Sequence, residues 1–411
     1  MATVKPFRGL RPQTQYVKQV AALPYDVMDS AEARKMAEGN PYSFLRVSKP
    51  EITLDESVDV YAESVYQAGA DNLRKLVTDG VFQREDSPAF YVYQQVWGDH
   101  TQTGLVAGTS ADEYNKDLIK KHELTRADKE EDRVKHVKFL NCNSGLVFLA
   151  YKSRADVDSL IMDTTKEKPL YDFASDDGIL HRLWVITDSA RIETISNAFK
   201  TIECLYVADG HHRSASGARI AGVRKALNPC HTGQEEYNFF MSCIFPHNQL
   251  KILDYNRVVK DLNGHSSEQF MTAVNEKFDV TQTDDPKPSS RHNFRMFLDG
   301  KWYSLTAKPG IFPENDPVKS LDVSILQDNV LAPLLGIENP RTDKRIDFVG
   351  GMRGLKELER RVANGMKIAF ALYPTSMEEL MSIADSGKIM PPKSTWFEPK
   401  LRSGIVIRSL D

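Results

Sequence analysis

The sequence predicts an α/β (α+β) protein with mixed sheets. Strand-like and helix-like segments alternate along the 411 residues, and short polar turns join some neighbouring strands into hairpins. Apolar residues make up 41% of the chain and charged residues 27%, which is the balance of a soluble protein with a sizeable core. This composition excludes a disordered, a collagen-like or a disulfide-stapled chain.

The first 110 residues are predicted to form an N-terminal α/β domain (1–110) of unknown role. A short helix capped by Ser30 is expected to end before the Gly-Asn-Pro stop signal that follows Glu38. A longer helix is expected over residues 55–80, where apolar residues recur at helical spacing. Strands at 89–97 and 102–109 then flank a short polar link, which predicts an antiparallel hairpin.

Residues 111–250 are predicted to form a central domain. Its elements are expected as a short strand near 118, a helix at 128–140, a strand at 145–151, a hairpin of 169–174 and 179–187, a helix at 190–199, a strand at 204–208 and a helix that runs to 227. The hairpin is predicted from its Asp-Asp-Gly turn. The strand at 204–208 is short and apolar, so we expect it to be buried and to lead directly onto the next helix.

Residues 251–411 are predicted to form a C-terminal α/β domain. Its elements are expected as helices near 267–278, 321–335 and 354–364, a strand at 367–373, a helix at 377–386, a loop at 390–403 and an end strand at 404–408. Residues 284–290 are polar and rich in proline and serine, which indicates an exposed loop.

The charge balance and the absence of targeting signals narrow the class of protein. Lys and Arg number 53 against 57 Asp and Glu, a formal net charge of −4, which argues against general binding to nucleic acid or acidic lipid. No window reaches the ~18 apolar residues of a membrane span, and the N-terminus has no apolar signal segment. The cysteines form no Cys-x-x-Cys pair, so we expect reduced structural thiols in a cytoplasmic protein: Cys142, Cys204, Cys230 and Cys243.

The motif Asp209-Gly210-His211-His212-Arg213 is the strongest chemical signal in the chain. A strand that ends in Asp-Gly and turns straight into a helix places backbone N–H groups and the positive end of the helix at one point. Histidine and arginine add donors for phosphate oxygens, and Asp209 is a ligand type for Mg²⁺. A capped helix with solvated polar residues is the alternative, and the clustering of polar groups at the end of an apolar strand favours a functional role.

A second group of charged residues spans 121–126 and contains His122 and Glu123. A glutamate near a phosphate site can take a proton from an attacking hydroxyl or hold a metal ion. The alternative is an exposed charged loop, followed by the solvated helix face of residues 129–133. Composition alone favours that alternative.

Two further segments are weaker candidates. Residues 390–397 contain a proline pair followed by Lys393, Ser394 and Thr395, which suits either a phosphate clasp or a plain surface turn. Asp26 follows an apolar run and is either a catalytic carboxylate or part of an Asx-turn.

In this order the motifs resemble those of the free serine kinases built on the ParB/sulfiredoxin fold. Those kinases carry a His-Glu pair, an Asp-Gly-His-His-Arg strand-to-helix turn and a late Pro-Lys-Ser/Thr-Thr loop, matched here by residues 122–123, 209–213 and 392–395. The whole chain looks like a member of a related prokaryotic family with a longer layout, domain-of-unknown-function family 1015. The resemblance implies a ParB/sulfiredoxin-like nucleotide-binding core at 111–250, and a domain at 251–411 that contributes the substrate and phosphate loop.

The resemblance also implies an activity, namely Mg²⁺-dependent phosphorylation of a free amino acid with ATP or ADP as donor. The leading candidate reaction is the conversion of L-serine to O-phosphoserine. Glu123 would be the base that takes the hydroxyl proton, and Asp209 would bind Mg²⁺ or orient the attacking group, with His212 as a further catalytic residue. The donor phosphates would be held by Gly210, His211, His212 and Arg213. The acceptor or its new phosphate would be held by His122, Lys393, Ser394 and Thr395.

The rival class is a non-catalytic nucleotide-binding regulatory module, because ParB-type relatives use this fold as a switch. DNA binding requires a helix-turn-helix with a basic face, and the sequence shows none. A glutamate ahead of the Asp-Gly-His-His-Arg turn favours an enzyme, and no cysteine occupies that turn as sulfiredoxin chemistry requires. The expected partners are therefore an amino acid and a nucleotide, without nucleic acid or membrane, and a homo-oligomer is compatible with the sequence.

Overall fold

A computed structural model describes all 411 residues, and the chain divides into two compact units. The first unit comprises residues 1–250 together with residues 399–411, and the second unit comprises residues 251–398. Both units combine helices with sheets, so the predicted mixed α/β class is confirmed. No helix of the structure combines the length and the hydrophobicity needed to cross a bilayer.

The strands lie at Val4–Lys5 (β1), Leu10–Pro12 (β2), Phe82–Arg84 (β3), Phe90–Trp97 (β4), His100–Ser110 (β5), Ile119–Lys120 (β6), Cys142–Asn143 (β7), Val147–Tyr151 (β8), Tyr171–Ala174 (β9), Leu180–Ile186 (β10), Leu205–Asp209 (β11), Phe239–Pro246 (β12), Lys251–Leu253 (β13), Tyr255–Val259 (β14), Phe278–Thr283 (β15), Asn293–Leu298 (β16), Lys301–Ala307 (β17), Ile346–Gly350 (β18), Ile368–Ala371 (β19), Trp396–Glu398 (β20) and Arg408–Ser409 (β21).

The α-helices lie at Val17–Val20 (α1), Ser30–Met36 (α2), Leu45–Ser48 (α3), Glu63–Thr78 (α4), Ala111–Asn115 (α5), Ala127–Leu140 (α6), Ala155–Thr164 (α7), Ser189–Lys200 (α8), His211–Leu227 (α9), Ser267–Lys277 (α10), Asp322–Leu326 (α11), Lys356–Ala363 (α12) and Met377–Asp385 (α13). Single turns of 3₁₀-helix occupy Pro50–Thr53, Glu236–Asn238, His247–Gln249 and Gly351–Arg353, and a π-helix at Gln327–Leu331 follows α11.

The first unit is built on one nine-stranded mixed sheet. Its order is β6-β11-β8-β12-β5-β4-β10-β9, with β1 paired to β5. Only the β11–β6 and β12–β8 pairs are parallel. Strands from before and after residue 110 pair directly, so the compact units do not separate residues 1–110 from residues 111–250.

The end of the chain belongs to the first unit rather than to the second. Strand β21 pairs with β7, and Ile407 bridges to Leu10. The extended end strand predicted at 404–408 is therefore reduced to the two residues of β21. The tail nevertheless brings residues 399–403 into the first unit, where one of them contributes to the site described below.

Most predicted elements of the first unit are present, with two corrections at helix starts. Asp29 rather than Ser30 caps α2, in a capping box with Glu32. Helix α4 begins at Glu63 rather than near residue 55, because the carboxylates of Asp55 and Asp59 accept backbone N–H groups in Asx-turns that compete with helix formation. Both predicted hairpins, β4–β5 and β9–β10, are antiparallel as expected.

The second unit contains a six-stranded sheet of order β15-β17-β16-β19-β14-β18 and a separate pair, β13–β20. Neighbouring strands of the larger sheet run antiparallel. The single helix predicted at 321–335 is split, because the α-helix of α11 changes to π-helix at Gln327. Residues 284–290 lie in a loop outside regular secondary structure, as predicted.

Burial in the first unit fixes the strand that leads into the candidate site. Leu205 and Val207 of β11 are fully buried, and helices α7 and α8 pack Val157, Ile161 and Phe199 into the same core. All four cysteines are free thiols, and only Cys230 is exposed. Burial on this scale leaves β11 little freedom, so the residues that follow it are held in place.

Two glycines on α9 allow a matched test of this packing. A Cβ at Gly217 would lie 2.8 Å from Cβ of Phe240, whereas a Cβ at exposed Gly222 would meet nothing within 4 Å. We expect Gly217→Ala to lower the free energy of unfolding by about 1 kcal/mol or more through overpacking. We expect Gly222→Ala to raise it by ~0.5–1 kcal/mol through helix propensity. Urea denaturation measures both, and equal effects of the two substitutions would contradict the packing described here.

Candidate functional site

The candidate site begins where β11 passes into α9. The strand ends at Asp209 and the helix begins at His211, so Gly210 alone joins them, with φ +91° and ψ 32°. The pairing of β11 with β8 shifts register between Val207 and Asp209. A left-handed residue at this junction favours glycine and lets the chain turn within one residue. The strand and first helical turn predicted around residues 204–212 are confirmed.

The N-terminus of α9 presents its first-turn amides at this junction. The backbone N–H groups of Arg213 and Ser214 already bond to the carbonyl of Gly210, so those of His211 and His212 are the first-turn amides left for a ligand, and no side chain caps the helix. An uncapped N-terminus carries a partial positive charge and N–H groups suited to an anion. This end of α9 therefore has the electrostatics of a phosphate-binding turn.

Asp209 forms an ion pair with Lys400, which the tail of the chain supplies. The Nζ of Lys400 lies 2.7 Å from one carboxylate oxygen, and the backbone N–H of Gly210 donates to the other at 2.7 Å. Burial acts to raise the pKa of Asp209, but the Lys400 ammonium and the Gly210 N–H outweigh it and hold that pKa below its usual value. Asp209 is therefore an anion that already faces a cation.

Two arginines contact the ring of Tyr25. The guanidinium carbon of Arg133 lies 3.8 Å from the ring centroid, and that of Arg213 lies 4.9 Å from it. A Cβ at Gly145 would lie only 2.5 Å from the Arg213 guanidinium, so the glycine leaves room for that side chain. The two arginines thus form a cationic wall beside the start of α9. The Tyr25 ring contacts both guanidinium groups, and Gly145 leaves room for Arg213.

Arg133 is anchored on one side only. Its Nε and Nη2 donate to one oxygen of Asp132, whose other oxygen accepts from Tyr66 at 2.9 Å. The remaining nitrogen, Nη1, is buried without a hydrogen-bond partner. A small pocket that opens to solvent lies against Arg133, Arg213, Asn143, Ser144 and Ser216. A buried cationic donor at a pocket wall is suited to an anionic ligand.

The two adjacent histidines of the motif point to different neighbours. His212 is half-buried, and its Nε2 accepts from the backbone N–H of Arg126 at 3.1 Å, which ties residues 121–126 to α9. His211 is 6% exposed, and its ring packs edge-on against that of His122 at a centroid distance of 4.4 Å. Burial lowers the pKa of each of these histidines.

Glu123 completes a compact cluster with the two buried rings. One ligand atom each from His122, Glu123 and His211 lies within 4.8 Å of the others. Neither ring nitrogen of His122 makes a well-formed hydrogen bond, although the Val207 backbone lies near the ring, and Nε2 of His211 has no partner. Burial lowers the pKa of His122 to about 4, so its ring is neutral at pH 7. Glu123 thus lies beside the Asp209–Arg213 turn within the first unit.

The late motif belongs to the second unit and is described by itself. Lys393 has φ +60°, and its Nζ lies 5.6 Å from the centroid of the Tyr255 ring. Ser394 is buried, and its hydroxyl donates to the carbonyl of Pro391 at 2.7 Å, while Thr395 is half-buried. That these residues bind the acceptor or its new phosphate stays a prediction.

Several residues that contact the candidate site were not predicted from the sequence. Asp132 and Arg133 were assigned to a solvated helix face, but they are 8% and 6% exposed, because α6 packs against both α4 and α9. Lys400 lies 191 residues from Asp209 and has no motif around it. Tyr25, next to the weak candidate Asp26, contacts the site through its ring. No local signal distinguishes Arg133 within this charge-rich helix, which also contains the tandem Asp128-Lys129.

A family model described as a protein of unknown function, DUF1015, matches residues 4–324. The chain belongs to this family. No curated protein matches it. Among solved structures, a free serine kinase in complex with AMP has 13% sequence identity and a TM-score of 0.35, and the match covers 74% of this chain and 91% of the kinase.

Two further solved structures are similar to this DUF1015 protein at the same level. A conserved hypothetical protein from Pyrococcus furiosus has 13% identity and a TM-score of 0.35, with 74% of this chain and 95% of that chain covered. SbnI with a C-terminal truncation, from Staphylococcus aureus, has 11% identity and a TM-score of 0.36, with 71% and 82% covered. Membership of the family rests on the family model alone.

The turn at Gly210 allows a test of the site's backbone. A Cβ there would come no closer than 3.5 Å to Val147, so Gly210→Ala meets strain rather than a clash. We expect this substitution to lower the free energy of unfolding by roughly 1–2 kcal/mol, the cost of a left-handed residue with a side chain. Gly210→Asn should cost less, because asparagine tolerates this conformation. Urea denaturation measures both, and an alanine variant as stable as the wild type would refute the left-handed junction.

Proposed function

We propose that this protein is a Mg²⁺-dependent phosphotransferase that transfers a phosphoryl group from ATP or ADP to a free amino acid. The leading candidate reaction is the conversion of L-serine to O-phosphoserine. One observation carries the proposal. The uncapped N-terminus of α9 carries His211 and Arg213 directly after Asp209 and Gly210, and Glu123 and His211 have ligand atoms within 4.8 Å of each other. Phosphoryl transfer needs this combination, because its catalysis consists mainly of positioning and charge neutralisation.

The donor phosphates are assigned to the cationic side of the site. The first-turn amides of α9, after Gly210, supply backbone donors, and Arg213 supplies a fork of N–H groups. The partnerless Nη1 of Arg133 gives a further donor at the wall of the pocket. His212 is placed to position residue 126 through its hydrogen bond, and to add a donor from its second ring nitrogen.

Magnesium is proposed to enter with the nucleotide. Mg²⁺ typically keeps one or two protein carboxylates and completes its shell with phosphate oxygens and water. Asp209 fits the role of a carboxylate ligand for Mg²⁺. Its carboxylate is an anion, and its Oδ2 already faces a cation, the ammonium of Lys400. A Mg²⁺–nucleotide would take over or share that position, and Lys400 would hold the carboxylate charged beforehand.

The transfer step is assigned to Glu123 and the incoming hydroxyl. Glu123 takes the proton from the serine hydroxyl, and the hydroxyl oxygen forms a bond to the terminal phosphorus of the donor. The bond from that phosphorus to its bridging oxygen breaks, and ADP leaves when ATP is the donor, or AMP when ADP is. Lys393, Ser394 and Thr395 of the second unit are proposed to bind the acceptor or its new phosphate.

One assay tests the proposal directly. Purified protein is incubated with ATP or ADP, Mg²⁺ and each of a panel of free amino acids, and phosphoamino acid is detected by mass spectrometry. The proposal expects phosphoserine together with the shortened nucleotide in equal amounts. Tight nucleotide binding without any phosphoamino acid would overturn it in favour of a non-catalytic nucleotide-binding module.

Glu123→Gln tests the base. The substitution keeps the shape of the side chain but removes its ability to take a proton, so turnover should fall by ~10²–10⁴-fold while nucleotide affinity stays near that of the wild type. Glu131→Gln is the matched control, because Glu131 pairs on the surface with Arg219. Phosphoserine formation and calorimetric nucleotide affinity are measured for both. Near-normal turnover in Glu123→Gln would exclude Glu123 as the base.

Arg213→Ala tests the phosphate contact. The substitution removes a charge-assisted donor, so it should weaken nucleotide binding as well as turnover. Arg219→Ala is the control, because Arg219 lies on the same helix with its side chain 48% exposed and paired with Glu131. Calorimetry with ADP distinguishes the two variants. Equal ADP affinity in Arg213→Ala and Arg219→Ala would remove Arg213 from the phosphate site.

A further inference from the structure

The cluster of His122, Glu123 and His211 contains buried ring nitrogens whose lack of partners is not explained by the proposed phosphate site. The two imidazole rings are 2% and 6% exposed, and three of their four ring nitrogens are buried without a hydrogen-bond partner. A neutral imidazole always carries one N–H donor and one lone-pair acceptor. Buried polar atoms of this kind are normally satisfied. The Val207 backbone lies near the His122 ring and suits its N–H, so the partner still missing is one that accepts the ring's lone pair.

We infer that His122, Glu123 and His211 form a three-ligand site for a divalent transition-metal ion such as Zn²⁺. The ligand atoms already lie within 4.8 Å of one another. Around a tetrahedral Zn²⁺ with bonds of 2.0–2.2 Å, ligand atoms are about 3.4 Å apart. Side-chain adjustments of about 1 Å therefore bring the three groups into coordination distance.

The chemistry of the donors selects the class of metal. Imidazole nitrogen suits Zn²⁺, Fe²⁺, Co²⁺ and Ni²⁺, whereas Mg²⁺ and Ca²⁺ prefer a shell made entirely of oxygen. Two neutral imidazoles and one carboxylate carry a single negative charge, so a divalent cation leaves the buried cluster with one positive charge. Three protein ligands also leave a coordination position open, as in catalytic zinc sites.

The position of the cluster places this charge next to the phosphate turn. His211 is the first residue of α9, directly after Gly210, and His122 and Glu123 come from the short segment after β6. A metal here adds positive charge beside the helix N-terminus, where anions are favoured. The site is distinct from the carboxylate of Asp209 proposed for Mg²⁺, but it shares Glu123 with the proposed transfer reaction. Glu123 can act there as the base only when it is free of metal, so the inference concerns the metal-loaded protein and does not rest on that reaction.

Metal titration of the full chain tests the inference. Protein treated with a chelator is titrated with Co²⁺, followed by visible d–d absorption, and then with Zn²⁺ by calorimetry, in the absence of nucleotide. We expect one high-affinity ion per chain, displacement of Co²⁺ by Zn²⁺, and no displacement by excess Mg²⁺. Absence of stoichiometric Zn²⁺ binding would overturn the site and leave a buried water as the partner of the rings.

Two substitutions locate the ion. His122→Asn and His211→Asn should each weaken Zn²⁺ binding by about 100-fold or more, since even outer-shell partners are worth 10–100-fold in affinity. His212→Asn is the matched control, because His212 follows His211 but points to residue 126, and this variant should bind Zn²⁺ like the wild type. Unchanged affinity in His122→Asn or in His211→Asn would refute the assignment.

A second measurement covers variants that fail to fold. X-ray absorption spectroscopy of the Zn²⁺-loaded wild-type protein should show two imidazole ligands and no sulfur, whereas ligation by a cysteine would overturn the site. This readout and the titration use no nucleotide, so they are independent of the phosphotransfer assay, which for this comparison is repeated with Mg²⁺ on chelator-treated protein. Metal binding without phosphoserine would contradict the proposed function alone, and phosphoserine formation without metal binding would contradict this inference alone.

Discussion

The site of this protein depends on a backbone constraint, the single left-handed residue between a buried strand and a long helix. Strand β11 lies between β6 and β8, and its side chains fill the core of the first unit. With the strand fixed, Gly210 sets where α9 begins and the direction in which its first-turn amides point. Asp209 stays at the end of the strand, and His211, His212 and Arg213 take positions that differ by about 100° per residue around the helix start. The candidate roles of these four residues follow from this junction.

Electrostatic pairing keeps the junction charged without leaving charges isolated. Lys400 holds Asp209 ionised, and Asp132 holds Arg133, with Tyr66 bonded behind it. A buried charge without a partner is strongly unfavourable, so each pair reduces the cost of placing ions near the core. The ion pairs leave some hydrogen-bond donors without a partner, such as Nη1 of Arg133. An anionic ligand can accept hydrogen bonds from these donors.

Local signals were sufficient for the strand, the turn and the first helical turn of residues 204–213. An apolar run, an Asp-Gly pair and a following helical pattern act within ten residues, and the structure contains each element there. The sequence was less informative about long-range partners. The backbone around Lys400 is held by a hydrogen bond from Gln95 to the Lys400 carbonyl and by the bridge between Ser403 and Ala22, and such isolated long-range contacts leave no periodic pattern in the sequence.

Helix boundaries and helix faces show the same limit. Polar residues at 55–62 continue a helical spacing, yet their carboxylates bind backbone N–H groups locally, and the helix starts later. Helix α6 is rich in charged residues and was interpreted as solvated, but it is packed between α4 and α9. Helix α7 and strands β15–β17 were not predicted at all. Tertiary packing decides the buried face of α6, whereas β16 and β17 do carry a local signal that was missed, the two-residue turn Asp299-Gly300 with both residues at positive φ.

The tandem His211-His212 shows why one motif can serve two purposes. Adjacent residues at a helix start cannot face the same ligand, because they are rotated by about 100° from each other. His211 turns into the core against the ring of His122, while His212 accepts a hydrogen bond from residue 126 at the surface of the site. The sequence analysis assigned both rings to phosphate, but only the half-buried His212 is partly exposed. Burial therefore divides the motif into two parts. The inward part has neutral imidazole nitrogens, which suit a divalent transition-metal ion. The outward part has backbone amides and a guanidinium group, which suit an anion.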